Sequence, residues 1–131
     1  MTEWRMKRFW RDARPAPAEG GWAIALDGKP VHTPARAPLV VPTAALAEAM
    51  AEEWRRQEEA VDPGAMPLTR AANSAIDKVG PQFDRVAEML ADYAETDLVC
   101  YRAESPEALA DAQAEAWDPL MDWARSALRA P

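Results

Sequence analysis

Trp22-Ala-Ile-Ala-Leu-Asp-Gly-Lys-Pro-Val-His-Thr33 decides how this 131-residue chain begins to fold. Asp27-Gly28 lies between two segments of alternating character. A two-residue type I′ turn needs positive φ at both central positions, and Asp followed by Gly supplies it. A hairpin closed there pairs Leu26 with Lys29, Ile24 with Val31 and Trp22 with Thr33. Because side chains alternate across a strand, this register gathers Trp22, Ile24, Leu26 and Val31 on one apolar face and turns His32 away from it. Pro30 has no N–H to give to a ladder, which places its strand at an edge. Outward from the hairpin, Arg8-Phe9-Trp10 and Leu39-Val40-Val41 are expected as short strands of the same sheet. Pro15-Ala-Pro17, ending in Gly20-Gly21, reads as the turn before it.

After Pro42 the apolar period changes from two to 3.6. Thr43 is the expected N-cap of a first helix, with Leu46, Met50 and Trp54 recurring every four residues beside Ala47 and Ala51. Glu48, Glu52, Arg55, Arg56 and Glu59 take its opposite face, and it is expected to end near Ala60. A loop from Val61 to Pro67 leads to a second helix with Leu68, Ala72, Ala75, Ile76 and Val79 on one stripe, stopped by Gly80-Pro81. A third runs from about Pro81 to Leu98 with Phe83, Val86, Leu90 and Tyr93 inward. Ser105-Pro106 opens a fourth, the serine as N-cap and the proline at the first helical position. Its stripe of Leu109, Gln113, Trp117, Leu120, Trp123 and Leu128 crosses Asp118-Pro119. Either the helix kinks there or a new one starts with Asp118 as its cap, and the unbroken period favours two nearly collinear segments.

The resulting class is α+β: a small N-terminal β-sheet and hairpin domain with one helix over residues 1–67, then a helical C-terminal domain over residues 68–131. That second domain is expected to be incomplete, because the chain stops at Ala130-Pro131 without a C-cap glycine.

Composition narrows the function. With 49% apolar and 28% charged residues the chain is expected to be globular and soluble, and no apolar run approaches the roughly 20 residues of a membrane span. A net charge of −7 argues against nucleic acid as the main partner. The first fourteen residues are nonetheless basic, with Arg5, Lys7, Arg8, Arg11 and Arg14 against Glu3 and Asp12. Those acids and the lack of a Ser-rich stretch argue against a mitochondrial presequence, and no secretory apolar region exists, so a cytoplasmic protein is expected. One cysteine and one histidine exclude an internal disulfide and a zinc site of the usual kind.

Enzyme chemistry finds little to use. A nucleophilic site would need Cys100 activated by His32, but Cys100 lies in the apolar run Leu98-Val-Cys-Tyr101, where a small buried side chain is the expectation. This leaves a small cytoplasmic hydrolase built on Cys100 as one alternative reading and an acidic adaptor as another. The carboxylates Glu52-Glu53, Glu58-Glu59, Asp92 and Glu95 fall on polar helix faces. Asp97 instead continues the stripe of Phe83, Leu90 and Tyr93, so a structural role is expected, against Arg70 or Arg102 or as the cap of the reversal at Thr96. No phosphate-cradling glycine loop or His-Glu-x-x-His pattern occurs, so neither enzyme, cofactor nor metal is expected. Of the six tryptophans, Trp22, Trp54, Trp117 and Trp123 are assigned to the core. Trp4 and Trp10 with Arg8 and Arg11 have the residue types enriched at protein-binding hot spots, and form the candidate partner-binding set.

Several blocks together carry a family resemblance. They are Arg8-Phe-Trp10, Leu26-Asp-Gly-Lys-Pro-Val-His-Thr-Pro34, Ala45-Leu-Ala-Glu-Ala-Met-Ala-Glu-Glu-Trp54, Met66-Pro-Leu-Thr-Arg-Ala-Ala-Asn-Ser-Ala-Ile-Asp77, Thr96-Asp-Leu-Val-Cys-Tyr-Arg102 and Gln113-Ala-Glu-Ala-Trp-Asp-Pro-Leu-Met-Asp-Trp123. In this order the chain resembles the mitochondrial and α-proteobacterial assembly chaperones specific for the α subunit of the F-type ATP synthase head. The resemblance implies a small α+β domain followed by a helical domain that continues, in family members, beyond the point where this chain stops. It also implies a protein that binds unassembled α subunit as a monomeric holder without ATP hydrolysis, in the bacterial cytoplasm or, for eukaryotic relatives, the mitochondrial matrix.

Overall fold

The tight turn forms where Asp27-Gly28 demands it. In the computed structural model, which describes residues 6–131, Asp27 and Gly28 have φ of 49° and 83°, the left-handed values of a type I′ turn. Strand β2 (Gly21–Leu26) is the centre of the sheet. Along one edge runs β1 (Ala13–Ala18); along the other lie β3 (Lys29–Pro30) and then β4 (Val40–Val41), all antiparallel to β2. Leu26 faces Lys29 as expected, and the Val31 N–H reaches the Ile24 carbonyl at 2.9 Å. Further back the register differs from the sequence reading: Trp22 faces Val41 and not Thr33, because β4 takes over that edge. Gly21 makes this possible, since a Cβ there would lie 2.2 Å from the Val41 carbonyl oxygen, far closer than van der Waals contact allows.

The stretch read as a turn, Pro15-Ala-Pro17, is instead the middle of β1. The Asp27 N–H donates to the Asp12 carbonyl at 3.0 Å, which makes Asp12–Asp27 a hydrogen-bonded pair. Bonded and non-bonded pairs alternate in an antiparallel ladder, so Pro15 and Pro17, opposite Ile24 and Trp22, occupy non-bonded positions. Their missing N–H groups would have pointed off the free edge, and two prolines cost this strand nothing. The Arg8-Phe9-Trp10 segment forms no strand of the sheet; Lys7 makes a lone bridge to Ala60.

Helix α1 (Ala44–Arg55) lies on the sheet. The Thr43 hydroxyl accepts from the Leu46 N–H at 3.2 Å, satisfying one of the orphan donors of the first turn. The predicted stripe is buried: Ala47, Met50, Ala51 and Trp54 join Trp10, Ile24, Leu26, Leu39, Val41, Val61 and Met66 in one core. The helix ends at Arg55, short of Ala60, and Trp22 is half-buried against the core.

Helix α2 (Pro67–Ser74) continues without a break into a wider π-type segment, Ala75–Val79. The division expected at residue 67 falls later: the chain separates into Met1–Phe83 and Asp84–Pro131. The reason is that α2 belongs to the first unit, where Ala72 and Ile76 pack on its core. In the second unit α3 (Phe83–Asp92) is shorter than predicted and closes in a tight 3-10 turn, Tyr93–Thr96. Helix α4 (Glu107–Ala127) has Pro106, not Ser105, at its N-cap position and runs through Pro119 as one element. Asp118 does not cap a new helix; its carboxylate takes a 2.8 Å bond from Arg102. No helix among the described residues is long and apolar enough to cross a membrane.

Candidate interaction surface

The N-terminal segment was expected to offer Trp4, Arg8, Trp10 and Arg11 outward. Trp4 lies outside the described residues. Trp10 is only 3% exposed; its indole N–H donates to the Trp54 carbonyl at 3.2 Å, and the two rings meet edge-on at 5.2 Å. Arg8 lies over the Trp10 ring and spends its guanidinium on the carbonyls of Trp10, Arg55 and Gln57. Two of those carbonyls stand at the end of α1, where unpaired C=O groups and the negative end of the helix dipole collect, so a cation there is doubly favoured. Arg8 and Trp10 therefore fasten the segment to α1. Arg11 is exposed, and so is Phe9, at 64%. In extended backbone neighbouring side chains face opposite ways, so burying Trp10 turns Phe9 outward. Alternation was the signal that pointed to Phe9, and the larger ring beside it obscured that.

Two carboxylates, Glu53, which the sequence puts on a polar helix face, and Asp77, hold this unit together. Glu53 is buried on α1 and accepts from the Leu68 N–H at 2.7 Å, the Thr69 N–H at 2.9 Å and the Thr69 hydroxyl at 2.7 Å. Helix α2 has Met66 at its N-cap and no capping side chain of its own, so Glu53 caps it from the neighbouring helix. Asp77, in the π-type segment, accepts from the Thr33 hydroxyl at 2.6 Å and the Ala35 N–H at 3.0 Å. Thr33 in turn accepts from the Ala37 N–H. The loop after β3 is thus pinned to α2. Neither role is visible locally, because donors and acceptor lie 15 to 44 residues apart.

The exposed turn residue Asp27 adds a third clasp. Its carboxylate accepts from the Asp12 N–H at 2.9 Å and the Arg11 N–H at 3.1 Å. Those bonds, Asp12 first, favour the charged form and hold its pKa below the ordinary value.

The second unit carries its apolar side chains outward. Phe83 at the boundary and Met89, Leu90, Tyr93, Leu98, Tyr101, Leu120 and Leu128 are all exposed. Trp123, expected in the core, is 58% exposed. Trp117 is half-buried, with the Arg102 guanidinium 5.4 Å from its ring centre. Asp97 is exposed; of the roles open to it, the cap is the one it takes, its side chain accepting from the Val99 N–H at 3.0 Å while its carbonyl receives Cys100 and Tyr101. Cys100 is exposed and not a buried hydrophobe. His32, also exposed, belongs to the first unit.

The family described as ATP12 chaperone protein matches residues 7–125. A mutant of Atp12p from Paracoccus denitrificans is 60% identical with a TM-score of 0.78, covering 99% of this chain and 56% of that one. Atp12 from Paracoccus denitrificans is likewise 60% identical, with a TM-score of 0.77 and coverage of 98% and 55%. A protein of Agrobacterium tumefaciens described as a candidate chaperone is 46% identical, with a TM-score of 0.72 and coverage of 95% and 47%. This chain spans about half the length of the proteins it matches.

Proposed function

The chain belongs to the ATP12 chaperone family, and from that premise we propose that it serves assembly of the F-type ATP synthase head. In this reading it holds free α subunit and shields the surface that later meets the β subunit. The observation that carries the proposal is the family match over residues 7–125 together with 60% identity to Atp12.

The physical logic is that of a holder. An unassembled subunit exposes an apolar patch that drives aggregation. A partner that covers it and later yields needs moderate affinity, which a few aromatic and arginine contacts within a polar rim provide. No bond is made or broken, so neither nucleotide nor metal has a part. The N-terminal segment enters through its outward residues Phe9 and Arg11, with Trp4 as a further contact, while Arg8 and Trp10 keep it in place. The protein acts as a monomer in the cytoplasm.

The test mixes purified chain with isolated α subunit in the absence of nucleotide. Light scattering should fall and the two should co-elute in gel filtration. Aggregation that proceeds unchanged overturns the proposal. Binding that collapses at moderate salt would favour a purely acidic adaptor instead.

A further inference from the structure

Helix α2 and the π-type segment after it form a ridge on the first unit with a concavity along each flank. One, of about 430 Å³, is lined almost wholly by carbon, from Val41, Leu46, Leu68, Ala72 and Ile76 among others. The other, of about 340 Å³, is lined by Pro34, Arg70, Asn73, Ser74, Asp77 and Lys78. On that second flank Asp77 is already spent on Thr33 and Ala35. Arg70 and Lys78 are exposed and, among the described residues, make no ion pair, in contrast to Arg55, Arg56, Arg102 and Arg125, each within 3.1 Å of a carboxylate. A third exposed cation, Arg36, lies on the loop that Asp77 holds. The Asn73 side-chain oxygen is buried and has no partner among the described residues. Along the crest between the flanks stand Ala71, Ser74 and Ala75, all exposed and small enough for another backbone to come close.

We propose that the α2 ridge is a docking surface for an acidic amphipathic segment of a partner protein, with an aliphatic side chain on the apolar flank and a carboxylate between Arg70 and Lys78. Charge complementarity selects the occupant. On a chain of net charge −7, an extended polyanion such as nucleic acid is repelled by the whole and attracted only locally. A short segment with one or two carboxylates beside an apolar residue meets the local cations and the carbon-lined groove together. The two concavities on one helix match an apolar and an acidic side chain presented on one face of such a segment. This rests on the reading that the chain holds a protein partner, and deepens it by placing part of the contact.

Two variants and two probes test it. Arg70→Glu/Lys78→Glu reverses the charge of the basic flank, and Ala71→Arg puts a bulky side chain on the crest; all three positions are exposed, so melting temperatures should stay close to that of the unaltered protein. The first probe is a synthetic helical peptide with leucine and glutamate on one face, alongside its glutamine counterpart. Either variant, or the glutamine peptide, should weaken binding by about ten-fold or more, and the charge-reversed protein should lose most of the salt dependence. Equal binding by all of them overturns the docking surface. The second probe is isolated α subunit. If the unaltered protein binds the peptide at α2 but holds no α subunit, the assembly role falls and the docking surface stands. If α subunit binds both variants as tightly as the unaltered protein, the docking surface falls and the assembly role stands.

Discussion

Residues 6–83 and 84–131 are made of similar material and finish in opposite states. Each helix carries an apolar stripe at the 3.6 period. In the first unit α1 places Ala47, Met50, Ala51 and Trp54 inside. In the second, α3 and α4 bury nothing completely, and no residue from 84 to 131 is buried at all. The difference is the second layer. Sheet β1–β4 presents Ile24, Leu26 and Val41 to α1, and two apolar faces close on one another. Periodicity says which side of a helix is apolar; whether that side is covered depends on what lies opposite.

The sharpest way to break this comparison uses one residue type in both places. Trp54 is 7% exposed and Trp123 is 58% exposed. Trp54→Ala should destabilise the first unit by about 3–5 kcal/mol, the cost of emptying a large core site. Trp123→Ala should cost well under about 1 kcal/mol, the range of surface substitutions. Urea unfolding followed by far-ultraviolet circular dichroism reads both. Equal losses would show that α4 is as sealed as α1.

A second pair tests the buried polar group against its neighbour on the same helix. Glu53→Gln keeps the shape but sets an amide NH₂ against the donors of Leu68 and Thr69. It should cost about 2–3 kcal/mol, because a buried donor loses a charged acceptor. Glu52, half-buried and paired with Arg55 and Arg56, should tolerate the same change with only a small fall in melting temperature. If Glu52→Gln proves the more damaging, the capping of α2 by α1 is wrong.

Where the sequence was legible, the governing physics is local. Asp27-Gly28 turns because of two backbone angles, Thr43 caps because its hydroxyl reaches three residues on, and the α1 stripe follows from helical spacing. Where it was not, the decision lies across the fold. Pro15 and Pro17 are acceptable in a strand only because the register puts them at non-bonded positions on an edge. Pro119 sits inside a continuous helix that local rules would break or bend. Glu53 reads as a solvated charge until its donors, far away in the chain, are brought beside it, and Asp77 carries no local sign of its role. The unit boundary slipped from residue 67 to 83 for the same reason, since those two carboxylates bind α2 to what precedes it. The interaction surface was the least legible. Arg8 and Trp10 have the right chemistry for a partner but are used internally, and Phe9 takes the outward position.

A third test loosens the first unit at its rim. Asp77→Ala releases the Thr33 hydroxyl and the Ala35 N–H together. A loss of about 1–2 kcal/mol is expected, with faster hydrogen exchange confined to residues 33–37 and α2. Exchange that stays slow at Ala35 would mean the loop is held by something other than Asp77.

The smallest expected effect is also the most specific to the hairpin that starts the fold. Backbone N–H groups of Asp12 and Arg11 hold the Asp27 carboxyl below its ordinary 3.8. A group with a lowered folded-state pKa contributes stability that is complete above its unfolded value. That contribution is lost as pH falls through the folded value, when the unfolded chain binds the proton first. Glu52, lowered by hydrogen bonds from Arg55 and then Arg56, acts in the same direction and window. The melting temperature of the first unit should therefore hold steady down to about pH 5 and decline below about pH 4. Asp27→Asn separates the two carboxylates. Asparagine tolerates the left-handed φ of 49° and still offers one acceptor to the same N–H groups, but it does not titrate. The variant should melt slightly lower at neutral pH, and the gap to the unaltered protein should close as pH falls below about 4, where Asp27 is itself neutral. A gap that stays constant to acid pH would show that the Asp27 charge contributes nothing beyond the geometry of the turn.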